Sequence, residues 1–307
     1  MLTACTLCPR ACRANRLAGQ TGFCRAGGLP SVALVSRHRW EEPCLSGSRG
    51  AGTVFFANCN LGCVFCQNHA ISQEGRGQEI TAARLAAIFG EQQAAGAHNL
   101  ELVTPTHYVP QILEALALAR RDGFALPVVY NTNAYETVDT VGLLAGQIDV
   151  FLPDLKYRDD AHAERYSAAP AYFAHASRAI AKMVELAGPP VFDAAGLMLS
   201  GVIVRHLALP GLAADSRRLL EWLWHTFSHD IYLSLMNQYT PLHRAADYRE
   251  ISRRLTTWEY GKLIDYAETL GFENCFIQSG RTATADYVPA FNGDGVAGRN
   301  EKPDAGV

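Results

Sequence analysis

From Thr53 onward the chain alternates short β-branched or aromatic runs with longer stretches of helical period, and this alternation limits the fold more than any other feature. The strand candidates are Thr53–Ala57, Leu100–Val103, Pro127–Asn131, Asp149–Leu152, Leu199–Arg205, Ile231–Leu235 and Cys275–Gln278. Between them, Thr81 suits the N-cap of a helix with Leu85, Ile88 and Phe89 on one face. A second helix is expected from Pro110 to Gly123, with Gly123 as a left-handed stop. A third is expected from Pro170 to Gly188. Parallel neighbours need crossover connections, so strand–helix repetition of this kind predicts an α/β fold whose right-handed crossovers curl into a full or partial barrel. In such folds functional groups gather on the loops after the carboxyl ends of the strands.

The cysteines are distributed unevenly. Of nine, eight lie between Cys5 and Cys66, and only Cys275 follows. An even disulfide framework belongs to secreted chains; clustering of this kind in a chain without a signal-like apolar stretch suggests metal or redox chemistry and a cytoplasmic setting. With 49% hydrophobic and 19% charged residues the chain can bury one large core. Its net charge of -3 gives no basic excess for nucleic acid or an anionic membrane, and no segment has the length of a membrane span. The expected organisation is a cysteine-rich metal-binding extension over 1–30, a barrel over 31–290 and a flexible tail over 291–307, where Gly and charge dominate.

Directly after the first strand candidate comes Cys59-Asn60-Leu61-Gly62-Cys63-Val64-Phe65-Cys66, a C-x3-C-x2-C spacing. A loop this short can bring three thiolates to one cubane cluster, whereas an ordinary cubane takes four. No further cysteine occurs before Cys275, so the simplest reading is a [4Fe–4S] cluster with one iron left open. A zinc site completed by His69 is the competing reading.

With Phe65 in the aromatic place, this loop resembles the C-x3-C-x-aromatic-C signature of the radical S-adenosylmethionine (SAM) superfamily, and the chain from about Gly52 to Gln278 resembles its pyruvate formate-lyase activating enzyme group. The resemblance implies a partial (β/α)6-type TIM barrel, SAM bound at the open iron, and reductive cleavage to a 5′-deoxyadenosyl radical that takes hydrogen from a substrate. It also implies a one-electron donor such as a flavodoxin or ferredoxin.

Four further blocks are similar to strand ends of that group. Val103-Thr104-Pro105-Thr106-His107 stands where the activating enzymes carry Gly-Gly-Glu, so Thr104 and Thr106 would replace the group that receives the SAM ammonium. Asn131-Thr132-Asn133 resembles Asp-Thr-Asn, with an amide at Asn131. Asp154-Leu155-Lys156 matches Asp-Leu-Lys and offers one acidic and one basic group on the same side of a strand. Arg205 resembles an arginine near the SAM ribose and carboxylate; His206, Gln238 and Tyr239 are weaker candidates for substrate contacts.

At the amino terminus, Cys5, Cys8, Cys12 and Cys24 have C-x2-C-x3-C-x11-C spacing, which suits a saturated site for zinc or a second iron–sulfur cluster. Similar segments occur in uncharacterised relatives of the activating enzymes. Three functions follow as expectations: an activase abstracting hydrogen from a glycine of a glycyl radical enzyme, a radical SAM enzyme acting on a small molecule or peptide, or a non-catalytic iron–sulfur or zinc protein.

Overall fold

All seven expected strands form, each within two residues of its expected bounds, in a computed structural model that describes residues 1–278 and 289–298. The chain divides into two compact units. The first holds residues 1–60, 70–130 and the described residues from 290 on; the second holds 61–69 and the described residues of 131–289.

In the first unit the order is β1 (Ser31–His38), α1 (Pro43–Ser46), β2 (Ala51–Phe56), α2 (His69–Ser72, entered from the second unit), β3 (Gln78–Glu79), α3 (Ala82–Ala94), β4 (Leu100–Val103) and α4 (Val109–Arg121), leading into β5 (Val128–Thr132). β2 runs parallel to β4, with Gly52 opposite Leu100 and Phe55 opposite Val103, and α3 lies on the connection between them. The Thr81 hydroxyl accepts the Arg84 N–H at 3.1 Å, satisfying one of the amides that a helix start leaves unpaired. Leu85, Ile88 and Phe89 are buried along one α3 face, each worth about 1.5–3 kcal/mol relative to exposure. α3 approaches so closely that a Cβ on Gly52 would come within 2.8 Å of the Gln92 Cβ.

β1 had no counterpart among the strand candidates. It pairs antiparallel with β2, from Val32 opposite Phe56 to His38 opposite Ala51, and with β3 on its other edge. Of the segment expected to be a flexible tail, residues 291–298 pack on this strand. Val35 N–H donates to the Asp294 carbonyl at 2.9 Å, Gly293 N–H donates to Ala33 O at 3.1 Å, and the Phe291 ring lies 5.5 Å from Phe55. Val296 is fully buried, and its carbonyl accepts from Arg84 at 2.9 Å. Two apolar side chains and a free strand edge suffice to order a segment that composition alone reads as polar; residues 299–307 lie outside the described residues.

The second unit runs α5 (Val138–Gly142), β6 (Val150–Pro153), α6 (Asp160–Ser167), α7 (Tyr172–Ala187), β7 (Val191–Phe192), β8 (Met198–Leu207), α8 (Ala213–Phe227), β9 (Tyr232–Met236), α9 (Thr257–Leu270) and β10 (Cys275–Ile277). β6, β8, β9 and β10 are parallel neighbours in that order, and the short β7 lies antiparallel on β8. Val202, Ile203 and Val204 are buried in succession, the pattern of a parallel strand covered on both faces. α7 turns Ala176, Ala179, Ile180 and Met183 inward and ends before Gly188, at φ +68°, within the expected bounds. The α/β class with a mostly parallel sheet is therefore what the sequence folds into. No helix among the described residues is long and apolar enough to cross a membrane.

Candidate active site and amino-terminal cysteine cavity

In the second unit the loop Leu61–Cys66 is tied down through its backbone. Gly62 N–H donates to Ser167 O at 2.9 Å, Val64 N–H donates to Tyr166 O at 2.8 Å, and Val64 O accepts from Arg244 N–H at 2.8 Å. The anchoring residues Tyr166 and Ser167 are the last turn of α6, so the loop takes its shape from a helix end about a hundred residues away. At that end the Ser167 hydroxyl lies 3.0 Å from Cys63 Sγ as donor and 2.8 Å from the Tyr157 hydroxyl. Burial pushes the Cys63 thiol up, while the Lys156 charge and the Ser167 hydrogen bond pull it down. Phe65 is buried edge-on against Tyr239, with ring centroids 5.6 Å apart, and so serves packing. Cys59 belongs to the first unit, immediately before its end at Asn60; Cys59, Cys63 and Cys66 are all partly buried thiols outside any disulfide.

Asp154, just past β6, is held by two cations. Lys156 Nζ meets its Oδ2 at 2.8 Å and Arg205 Nε its Oδ1 at 2.8 Å, while Arg205 Nη2 donates to Asn131 Oδ1 at 2.7 Å. Burial by itself favours the protonated carboxyl, but Arg205 and Lys156 override it and hold Asp154 below the usual carboxylate range. For Lys156, burial opposes the charge and Asp154 more than restores it, so its pKa is raised. Two cations and one anion leave the cluster with one net positive charge, next to an amide. That composition suits a ligand bearing a carboxylate.

Other candidates are placed differently. Asn133 is buried, and its Oδ1 accepts the Tyr135 N–H at 2.9 Å, the turn that asparagine forms with the backbone two residues on. His206 Nδ1 lies 2.8 Å from Leu155 O and Nε2 2.9 Å from Ser216 Oγ, so both nitrogens are engaged and the residue braces the core instead of offering a group to substrate. Its position is what alternation from Arg205 requires. The Tyr239 hydroxyl donates to Ile251 O at 2.6 Å and is committed to packing. Gln238 is partly exposed, with its Nε2 3.7 Å from Met236 Sδ. In the first unit, Thr106 is fully buried in the turn Thr106–Tyr108, and Thr104 has φ +58°, a strained conformation for a β-branched residue.

The amino-terminal thiols share one cavity. Cys5, Cys8, Cys12 and Cys24 line one small cavity together with Leu7, Arg10, Phe23 and His107. Reciprocal backbone bonds shape the knuckle: Cys5 N–H to Ala14 O at 3.0 Å and Arg13 N–H to Cys5 O at 2.9 Å. A Cβ at Gly22 would collide with Cys12 Sγ, which accounts for the glycine before the last thiol. Arg16, nearly fully buried, donates to Gly27 O at 2.9 and 2.7 Å and to His107 O at 2.6 Å. Burial pushes the Cys8 thiol up to about 12 and raises Cys24, against which Arg16 acts. Cys44 is buried in α1 and is not among the residues lining this cavity, and its thiol is also pushed up to about 12 by burial.

Ser167, Tyr157 and His107 were not among the expected site residues. Ser167 and Tyr157 reach the cysteine loop through contacts that no local spacing encodes, and His107 stood beside Thr106 in a block read for its threonines.

Comparison with known proteins identifies the family. Residues 53–221 match the family model of the Radical SAM superfamily. Over 277 residues the chain is 30% identical to an uncharacterized protein of Methanocaldococcus jannaschii, covering 86% of this chain and 74% of that one. Among solved structures, Streptococcus suis SuiB bound to S-adenosylmethionine matches at 15% identity and TM-score 0.49, over 75% of this chain and 50% of SuiB, so the chain spans about half of SuiB's length. Methylornithine synthase (PylB) matches at 12% identity and TM-score 0.52, over 74% of this chain and 63% of that one, a likeness of fold. With more than half of its length matched by the family model, the chain belongs to the radical SAM superfamily, whose membership implies a [4Fe–4S] cluster and S-adenosylmethionine.

Proposed function

We propose that Cys59, Cys63 and Cys66 hold the [4Fe–4S] cluster and that the chain cleaves SAM reductively, directing the resulting 5′-deoxyadenosyl radical at a substrate hydrogen. The observation that carries the reading is the C-x3-C-x2-C loop after β2, with a hydroxyl donor from Ser167 on the Cys63 sulfur. The donor set fits the group: three thiols outside any disulfide, a positive charge at Lys156, and a hydrogen bond that favours the thiolate form. When bound, the cluster supplies the electron that breaks the sulfonium bond.

The chain's own residues would position the nucleotide. Arg205, Lys156 and Asn131, with one net positive charge balanced around Asp154, suit the methionine carboxylate. Thr104 and Thr106 occupy the place that receives the ammonium in the activating enzymes, with hydroxyl and carbonyl acceptors in place of a carboxylate. Cys5, Cys8, Cys12 and Cys24 form a second metal centre, zinc or iron–sulfur. A flavodoxin or ferredoxin is the natural electron source.

The substrate on this reading is either a glycine of a glycyl radical enzyme, which follows the activating-enzyme motifs, or a small molecule or peptide. The second is favoured by the missing carboxylate in Val103-Thr104-Pro105-Thr106. The test is anaerobic reconstitution with iron, sulfide and a one-electron reductant, followed by chromatography for 5′-deoxyadenosine. Its formation supports the reading; its absence from cluster-loaded protein sinks it. Electron paramagnetic resonance for a glycyl radical on a candidate partner then separates the two substrate classes.

A further inference from the structure

His107 is almost fully buried and lines the cavity of the four amino-terminal thiols. Its Nε2 lies 2.9 Å from the carbonyl oxygen of Ala57. A carbonyl can only accept, so Nε2 carries the proton and Nδ1 presents a lone pair. That Nδ1 is buried and has no hydrogen-bond partner. Buried polar atoms are nearly always satisfied, and an orphan asks for a ligand. An imidazole with one nitrogen donating to a backbone carbonyl and the other bare is the arrangement of a metal-bound histidine, since the outer hydrogen bond fixes tautomer and ring orientation.

The geometry points to His107 Nδ1 as a ligand, beside the amino-terminal thiolates, of the metal centre in this cavity. The inference rests on the reading that those thiols hold a metal. Cys5, Cys8 and Cys24 are buried and Cys12 is exposed, so the imidazole would complete a set with the three buried thiolates, with Cys12 as the exchangeable thiol. Thiolate and imidazole together suit zinc or an iron–sulfur cluster. Such a bond would also anchor the turn after β4: His107 follows Thr106 directly, and its carbonyl is gripped by the buried Arg16 of the cysteine segment. Metal in the cavity would thus order the turn that carries Thr104 and Thr106. A donor nitrogen could not be read from cysteine spacing, because His107 lies more than eighty residues beyond Cys24.

The test uses the full chain with Cys59, Cys63 and Cys66 all changed to Ala, so that metal retained after reconstitution with zinc, or with iron and sulfide, resides at the amino terminus. X-ray absorption at the metal edge should show sulfur at about 2.3 Å and one nitrogen at about 2.0–2.1 Å for zinc, with the outer-shell scattering of imidazole. His107→Gln, which can keep a donor to Ala57 O but has no ring nitrogen, should remove that scattering and speed loss of metal to a chelator at least tenfold, with unchanged circular dichroism. A sulfur-only shell in the parent, or identical spectra and release for His107→Gln, overturns the inference while leaving the thiol site standing. A parent that retains no metal overturns the premise as well. Should His107→Gln fail to fold, the parent's scattering shell decides alone.

Discussion

Replacing Asp154 with Asn isolates the electrostatics of the proposed SAM carboxylate site. The wild-type carboxylate accepts one ion pair at each oxygen, both at 2.8 Å, and the Asp154, Lys156 and Arg205 side chains are 19%, 15% and 13% exposed. At an effective dielectric near 20, unit charges about 4 Å apart attract by about 4 kcal/mol, most of which offsets the cost of desolvating the pair. Removing one partner and leaving the others buried costs about 3–5 kcal/mol; partial solvent access argues for the lower end, near 3 kcal/mol. Stability also acquires a pH signature. Asp154 has a folded pKa below its ordinary 3.8, so its contribution is complete above the unfolded value and is lost as pH falls through the lowered folded one. Asp154→Asn should therefore lose about 3 kcal/mol in urea unfolding at pH 7, with an unchanged m-value, and should lose less stability than wild type below about pH 4, where only the other carboxylates still titrate. A loss under about 0.5 kcal/mol at pH 7 would refute the reasoning, because two buried cations cannot be left without their anion so cheaply.

Ser167→Ala removes the hydroxyl donor from Cys63. If the bond is worth about 1 kcal/mol more to the reduced cluster, the midpoint falls by roughly 40 mV in spectroelectrochemical titration, and an unchanged midpoint separates Cys63 from the cluster. Thr104→Gly relieves a left-handed β-branched residue and should raise stability by about 1 kcal/mol in thermal unfolding; a loss means that φ +58° costs nothing there. His206→Leu strands Leu155 O and Ser216 Oγ, so unfolding should come about 1–3 kcal/mol more easily while SAM affinity by equilibrium dialysis stays level. A large affinity change with stability intact would return His206 to the binding site.

The sequence revealed most where local pattern and tertiary demand coincide. β4 runs over Leu100–Val103 as expected, and the Thr81 cap and Gly123, at φ +90° just past α4, are where propensity places them, because caps and positive-φ glycines are local chemistry. β1 lies outside the strand–helix alternation although Val32-Ala33-Leu34-Val35 is a buried apolar run, because it is an antiparallel edge added ahead of the parallel repeats. α9 carried a readable signal in Thr256 and Glu259, a capping box whose two side chains do exchange hydrogen bonds with the opposite backbone groups.

At the site, Asp154, Lys156 and Arg205 were legible as strand-end residues, but their mutual pairing was not, because Arg205 meets Asp154 across fifty-one residues of chain. Asn133 and His206 had bland alternatives in the sequence, a turn and a packed histidine, and their hydrogen bonds to Tyr135 N–H, Leu155 O and Ser216 Oγ are of those kinds. Ser167 reaches Cys63 over 104 positions, so only the fold could disclose it.

The most direct test of the account is electron paramagnetic resonance on the anaerobically reconstituted and reduced chain, before and after SAM is added, in wild type and in Cys63→Ala. The account predicts a cluster signal in wild type whose shape shifts on adding SAM and a shifting component that is absent from Cys63→Ala. A wild-type spectrum identical with and without SAM, or a SAM-dependent shift that survives Cys63→Ala, would contradict it.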